Sequence, residues 1–147
     1  MDIFLWILSL VGAFSVMEFM AWFTHKYIMH GFLWFLHQDH HVVNKDHKLQ
    51  KNDFFFLIFA IPSMLLMYIG FDGFKISFFV GIGIAFYGMA YFIVHEVIIH
   101  QRLPFFRKTN NKYIRAIRLA HKVHHKQLGK HNATSFGMLI VSRKYFR

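Results

Sequence analysis

Ten of the twelve histidines in this 147-residue chain fall into four tight groups. His25 and His30 make a pair, His37, His40 and His41 a triplet, His95 and His100 a second pair, and His121, His124 and His125 a second triplet. Imidazole is the commonest metal-ligating side chain, and a cluster of imidazoles in an apolar protein is costly to bury without compensating bonds. The pattern therefore points to metal chemistry, with ten nitrogens suited to two ions that share them equally. The chain has no cysteine, which removes thiolate sites and disulfides. A lone histidine is more often a hydrogen-bonded residue than a ligand. His47 and His131 lie outside the pattern in polar surroundings and are expected to be of that kind.

Spacing adds detail. In each triplet, positions i, i+3 and i+4 share a helix face, which predicts three imidazoles converging on one locus. The pairs are less tidy, because residues five apart stand about 140° apart on a helix of 3.6 residues per turn. Either each pair serves two metals, or a π-bulge brings its members together. Only seven residues are Asp or Glu, and three lie against the histidine pattern. Asp39 sits inside the first triplet, Glu96 follows His95, and Glu18 lies two helical turns before His25. Carboxylates commonly orient ligating imidazoles from behind, and that role is expected for all three. The alternative for Glu18 is a hydrogen bond between helices or a pairing with a nearby Lys.

The elements that must position these groups are membrane spans. The composition is 56% hydrophobic and 20% aromatic, more apolar surface than a domain of this size can bury. Apolar runs cover Ile3 to Phe23, Phe54 to Phe71 and Ile76 to Val94, each long enough to cross a bilayer. The first is read as a retained span, since it lacks a basic leader and a small-residue cleavage site. A turn at Asp72-Gly73-Phe74-Lys75 makes the last two runs an antiparallel hairpin. Three crossings put residues 24–53 and 95–147 on one side. All twelve histidines and sixteen of the seventeen Lys and Arg residues lie there, leaving only Lys75 elsewhere. The positive-inside rule makes that side cytoplasmic and the N-terminus external. The formal charge of +10 is thereby explained without nucleic acid, which is not expected as a partner.

Beyond a connection from Gln101 to Asn111, residues 112–126 read as a two-faced helix. Ile114, Ile117, His121 and His124 form one face. Arg115, Lys122 and Lys126, with Arg118 at the edge, form a basic stripe suited either to anionic lipid headgroups or to an acidic electron carrier. The expected fold is all-α, one membrane-embedded domain over residues 1–147. Three to four transmembrane helices would be capped by a cytoplasmic histidine-rich dimetal site.

Around these histidines the chain resembles the membrane fatty acid hydroxylase superfamily, and within it the bacterial β-carotene hydroxylase family. The resemblance is carried by Met17-Glu18-Phe19, Ala21-Trp22, His25-Lys26-Tyr27-Ile28-Met29-His30-Gly31, Trp34, His37, His40-His41 and Asn52-Asp53. It continues through His95-Glu96, His100-Gln101-Arg102, Pro104-Phe105, His121, His124-His125 and Ser135-Phe136-Gly137. It implies two iron ions on the ten histidines, dioxygen as co-substrate and a ferredoxin-like electron donor. It also implies hydroxylation at carbon 3 of carotenoid β-ionone rings, from β-carotene through β-cryptoxanthin to zeaxanthin. Glu96 departs from the family pattern, which has Asp there. Zinc could replace iron in recombinant protein, since nitrogen sites bind it more tightly.

A carotenoid arriving through the bilayer would meet Trp22, Met29, Trp34, Phe86, Met89 and Phe92, whose aromatic and thioether groups suit a bulky apolar ring. Their plainer explanation is lipid contact and packing. A fatty-acyl or sterol hydroxylase or desaturase would use the same histidines. A metal transporter or storage protein is the remaining alternative, and transport would need polar groups spaced along a membrane pathway. Glu18 is the one acid deep in a span.

Overall fold

The computed structural model describes residues 2–42 and 49–146. His47 therefore lies outside the described residues. Among the described residues all regular structure is helical. Helix α1 covers Ile3–Phe23 and runs without a break into a π-helical segment, Thr24–Phe32. The short helix α2 spans Trp34–His41, and a 3-10 turn, Lys51–Phe54, leads into α3, Phe55–Gly70. Helix α4, Ile76–Phe92, passes into a second π segment, Ile93–Ile99, and α5 covers Lys112–His125.

Among the described residues, three stretches are long and apolar enough to cross a membrane: Ile3–Phe32, Lys51–Gly70 and Ile76–Ile99. The protein is a membrane protein on this ground, and its large exposed apolar residues, among them Phe4, Ile7, Phe56, Met64 and Tyr68, suit hydrocarbon rather than water. Among the described residues, the fourth span allowed by the sequence is not seen. Helix α5, the remaining long helix, is amphipathic and ends in histidines. Asn111 caps it, its side-chain oxygen accepting from the amides of Tyr113 (2.9 Å) and Ile114 (3.1 Å).

Helix α4 packs against both α1 and α3. Without a hydrophobic drive between helices in lipid, close approach depends on small residues. At Gly81 a Cβ atom would lie 2.7 Å from the Ser63 carbonyl oxygen of α3, and at Gly83 it would strike the Leu10 carbonyl and lie 2.9 Å from the Ala13 Cβ of α1. The Ser63 hydroxyl donates to the Gly81 carbonyl at 2.8 Å, tying α3 to α4. Trp6 stacks on Phe79 at 4.9 Å, and Phe14 meets Tyr87 edge-on at 5.5 Å, along the α1–α4 seam. The turn between α3 and α4 closes with the Lys75 amide donating to the Gly70 carbonyl at 2.9 Å, and Gly73 supplies a φ of 74°.

Two glycines separate packing from composition. Gly83→Ala should destabilise the protein by roughly 1–3 kcal/mol through overpacking of the α1–α4 seam. Gly88→Ala, with nothing within 4 Å of the new methyl, should not. Thermal unfolding in detergent compares them, and equal effects would contradict this packing.

Candidate metal centre

The histidine pairs are brought together by the π segments. A π turn closes i→i+5 hydrogen bonds, so residues five apart are stacked rather than splayed. The Leu33 amide donates to Ile28 at 3.0 Å and the His100 amide to His95 at 2.9 Å, both with this spacing. As a result the His25 and His30 rings are 5.3 Å apart and the His95 and His100 rings 4.5 Å apart. Each pair thus serves a single locus, the second of the two arrangements its spacing permits.

The triplets behave differently from expectation. One group of ring nitrogens, all within 4.8 Å of one another, comes from His25, His30, His37, His41 and His124. A second comes from His40, His95, His100 and His121. His125 joins the second group most closely, its ring 4.4 Å from His121 and 4.7 Å from His40, while also stacking on His41 at 4.5 Å. Each triplet is therefore split between two loci instead of converging on one. The reason is angular. Positions i and i+4 lie about 40° apart on a helix, whereas i+3 and i+4 are about 100° apart. His37 and His41 share a locus while His40 turns to the other. His121 and His125 share a locus while His124 crosses over.

Hydrogen bonds fix which nitrogen faces inward. The Nδ1–H groups of His25, His30, His41 and His124 donate to the backbone carbonyls of Phe136 (3.1 Å), Lys130 (3.1 Å), Gln127 (2.8 Å) and Thr134 (2.8 Å). Those of His37 and His40 donate to the side-chain oxygens of Asn52 (2.6 Å) and Gln50 (2.9 Å), and that of His95 to Glu96 (2.5 Å). Because these partners accept, the neutral rings carry their proton on Nδ1 and a bare lone pair on Nε2. Yet the Nε2 atoms of His25 and His37 are 3.2 Å apart, those of His37 and His41 3.2 Å, and those of His30 and His124 3.1 Å. Lone pairs facing each other at this distance repel. A cation between them would reverse the sign.

The second group shows the same need. The Nε2 atoms of His40 and His125 are buried with no hydrogen-bond partner. Such orphaned polar atoms are rare in stable structures. Burial also works against charging His41, His100 and His124. Desolvation lowers His41 to about 4 and both His100 and His124 to about 3, with neighbouring imidazoles adding to the effect. At neutral pH these rings offer lone pairs, as metal binding requires. The residues fit two metal ions, one per group.

The expected carboxylate supports are realised at one position. Glu96 accepts from His95 and is itself held by Arg102, whose Nε lies 2.8 Å from its second oxygen. Asp39 touches no histidine among its described hydrogen bonds. Instead it accepts from the Lys51 amide at 2.6 Å, because its side chain leaves α2 on the side away from the imidazoles. Glu18 also makes no hydrogen bond to a histidine. It accepts from the Tyr87 hydroxyl at 2.7 Å, as a tie between helices, and from three backbone amides of the C-terminal segment.

Of the six residues considered for substrate contact, Trp34 packs on His30 (5.0 Å) and His41 (5.2 Å), and Met29 is buried. Trp22 lines a cavity beside α1. Phe86, Met89 and Phe92 are about half exposed on the outer surface of α4, and the structure does not bring them together with the others. Arg118 leaves the basic stripe, its guanidinium donating to the carbonyls of Ile98, Phe106 and Arg107. Arg115, Lys122 and Lys126 remain exposed, as does His131, which belongs to neither group.

Sequence reasoning missed most of the imidazole supports. Backbone carbonyls have no sequence signature, and Gln50 carries none beyond its place before Asn52-Asp53. The depressed basicity of the rings has a consequence for stability. Below about pH 6.5, the ordinary imidazole value, the unfolded chain takes up protons that the folded cluster refuses, so stability falls as pH falls. Chelator-treated protein should lose thermal stability steadily between pH 6.5 and about 4, and a flat profile would contradict buried neutral rings.

The comparisons with known proteins agree with this geometry. The family model described as "Fatty acid hydroxylase" matches residues 10–142. The chain is 38% identical over 140 residues to "Beta-carotene hydroxylase" of Pantoea ananas, covering 93% of this chain and 79% of the relative. It is 36% identical over 135 residues to "Beta-carotene hydroxylase" of Paracoccus sp. (strain N81106 / MBIC 01143), covering 91% and 83%. It is also 36% identical over 134 residues to "Beta-carotene hydroxylase 2, chloroplastic" of Capsicum annuum, covering 88% of this chain and 42% of that protein. No solved structure matches the chain. With a family model spanning nearly its whole length and two convergent histidine groups at one end of its spans, the chain belongs to the fatty acid hydroxylase family.

Proposed function

We propose that this protein is a carotenoid β-ring hydroxylase that holds two iron ions. It would convert β-carotene to β-cryptoxanthin and then zeaxanthin by hydroxylating carbon 3 of each ring. The observation that carries the reading is the pair of histidine groups whose inward Nε2 lone pairs require cations, in a chain similar over most of its length to β-carotene hydroxylases. Each turnover balances as R–H + O₂ + 2e⁻ + 2H⁺ giving R–OH + H₂O, so an external electron donor is part of the reaction. Iron held on the histidine nitrogens would supply the activation of dioxygen that inserting one oxygen atom into the C–H bond needs.

The chain's own residues do the rest. His25, His30, His37, His41 and His124 would hold one ion, and His40, His95, His100, His121 and His125 the other. The acceptors on Nδ1 orient seven of these rings and raise their basicity as ligands. Trp34 and Phe136 cover the first group with aromatic surface, the Phe136 ring lying 5.1 Å from both His30 and His124, which keeps water off that side. A cavity of about 520 Å³ opens between α1 and the C-terminal segment, with Trp22, Phe19 and Ile140 in its wall and Phe136 between it and the histidines. Its size is that of a small-molecule site. It offers a β-ring a lateral approach from the bilayer. The single domain spans residues 1–147 on this reading.

The family description favours a second substrate class, a fatty acyl chain. A host making β-carotene separates the two. Expression should yield zeaxanthin through a monohydroxylated intermediate, whereas β-carotene left unchanged beside new 2-hydroxy fatty acids would move the assignment to acyl chains.

The positive-inside rule supports a reading in which the histidine end and the C-terminus face the cytoplasm across a cell's inner membrane and the N-terminus lies outside. Arg115, Lys122 and Lys126 then face either anionic lipid or an acidic ferredoxin-like carrier. Membrane vesicles with the cytoplasmic face outward should turn over with added ferredoxin, and vesicles of opposite orientation should not. Reversing the charge of Lys122 and Lys126 should slow that turnover severalfold at about 0.1 M salt and much less at about 1 M, where the screening length is roughly 3 Å. Unchanged turnover at low salt would assign the stripe to lipid.

A further inference from the structure

A buried carboxylate in a membrane span is expensive unless its acceptors are filled. Glu18 is 9% exposed, and both its oxygens are engaged. Oε2 accepts from the Tyr87 hydroxyl at 2.7 Å, which would suffice to tie α1 to α4. Oε1 does something further. It accepts from three consecutive backbone amides, Met138 (3.0 Å), Leu139 (2.9 Å) and Ile140 (2.9 Å), more than 100 positions away in sequence. A carboxylate gathering successive amides in this way holds a stretch of chain, not a side chain.

That stretch continues directly from the carbonyls that orient the first histidine group. Phe136 accepts from His25, Thr134 from His124 and Lys130 from His30. No regular helix or strand stabilises residues 126–142. Asn132 and Ser135 adopt left-handed backbone, with φ of 65° and 63°. Such conformations are unfavourable for residues with side chains and persist only where surroundings impose them. The Tyr113 hydroxyl adds a bond to the Leu139 carbonyl, and Ser135 meets the Tyr145 hydroxyl at 2.6 Å. Among the described residues, no hydrogen bond runs from this segment to the second histidine group. It relies on Gln50 and on Glu96 backed by Arg102.

We propose that Glu18, braced by Tyr87, is a positioning residue for one metal subsite only: it latches residues 138–140 so that the carbonyls of Phe136, Thr134 and Lys130 hold the imidazoles of the first group. The proposal rests on the dimetal reading above.

The test uses full-length protein in lipid nanodiscs, loaded with ferrous iron, and reads metal remaining per chain during chelation together with amide hydrogen exchange. Glu18→Ala should release one of two ions about tenfold faster, the usual effect of losing an orienting partner. It should also speed exchange at residues 138–140. Tyr87→Phe should give a smaller change of the same kind, and Glu18→Gln, whose carbonyl still accepts from the amides, should restore most of the retention. Arg102→Ala should hasten loss of the other ion with exchange at 138–140 unchanged. Retention of both ions at the wild-type rate in Glu18→Ala overturns the latch. So does equal loss of both ions in the milder Tyr87→Phe. Wild-type protein binding fewer than two ions would refute the dimetal reading instead, and unprotected amides at 138–140 in that protein would refute the latch independently.

Discussion

Lone pairs must be kept pointing at one another, and most of the structure follows from that requirement. Neutral imidazoles packed with their Nε2 atoms about 3 Å apart repel unless a cation lies among them, and they would rotate away if nothing held their other nitrogen. Seven of the ten rings have such a hold, an oxygen at 2.5–3.1 Å from Nδ1. Three of the oxygens, those of Phe136, Lys130 and Gln127, come from more than 80 positions away in sequence. The site is therefore assembled only when α1, α2, α4, α5 and the C-terminal segment have all met.

The two loci are alike in ligand type and unlike in surroundings. Around the first, the holding groups are four backbone carbonyls and the Asn52 amide, all uncharged. Around the second stands Glu96, a carboxylate shared between His95 and Arg102, with Gln50 on His40. A carboxylate behind an imidazole strengthens it as a donor more than a carbonyl does, so metals in the two places would differ electronically.

The membrane helices serve this end in a specific way. Helix α4 lies against both α1 and α3 because Gly81 and Gly83 let backbones touch, and α1 and α4 run on into the segments that carry the His25 pair and the His95 pair. Each of those helices turns π where it leaves the apolar region. An α-helix would have sent the two members of each pair to different sides. The π turns convert one covalent spacing, H-x4-H, into one shared locus.

The sequence by itself determined the class of the protein, because composition and local spacing are enough for that. The three apolar runs, the turn at 72–75, helix α5 and the ten-histidine pattern were all legible, being properties of contiguous residues. Glu96 behind His95 was legible for the same reason, as its neighbour in sequence. Tertiary structure decided what depends on direction and on distant partners. It divided each triplet between two loci, since i+3 and i+4 diverge by about 100°. It moved Glu18 from the histidines to the amides of residues 138–140 and Asp39 to Lys51, and it took Arg118 out of the basic stripe. It turned Phe86, Met89 and Phe92 outward. Above all it recruited main-chain carbonyls, which every residue possesses and no sequence pattern announces, so their role appears only when the chain folds back on itself.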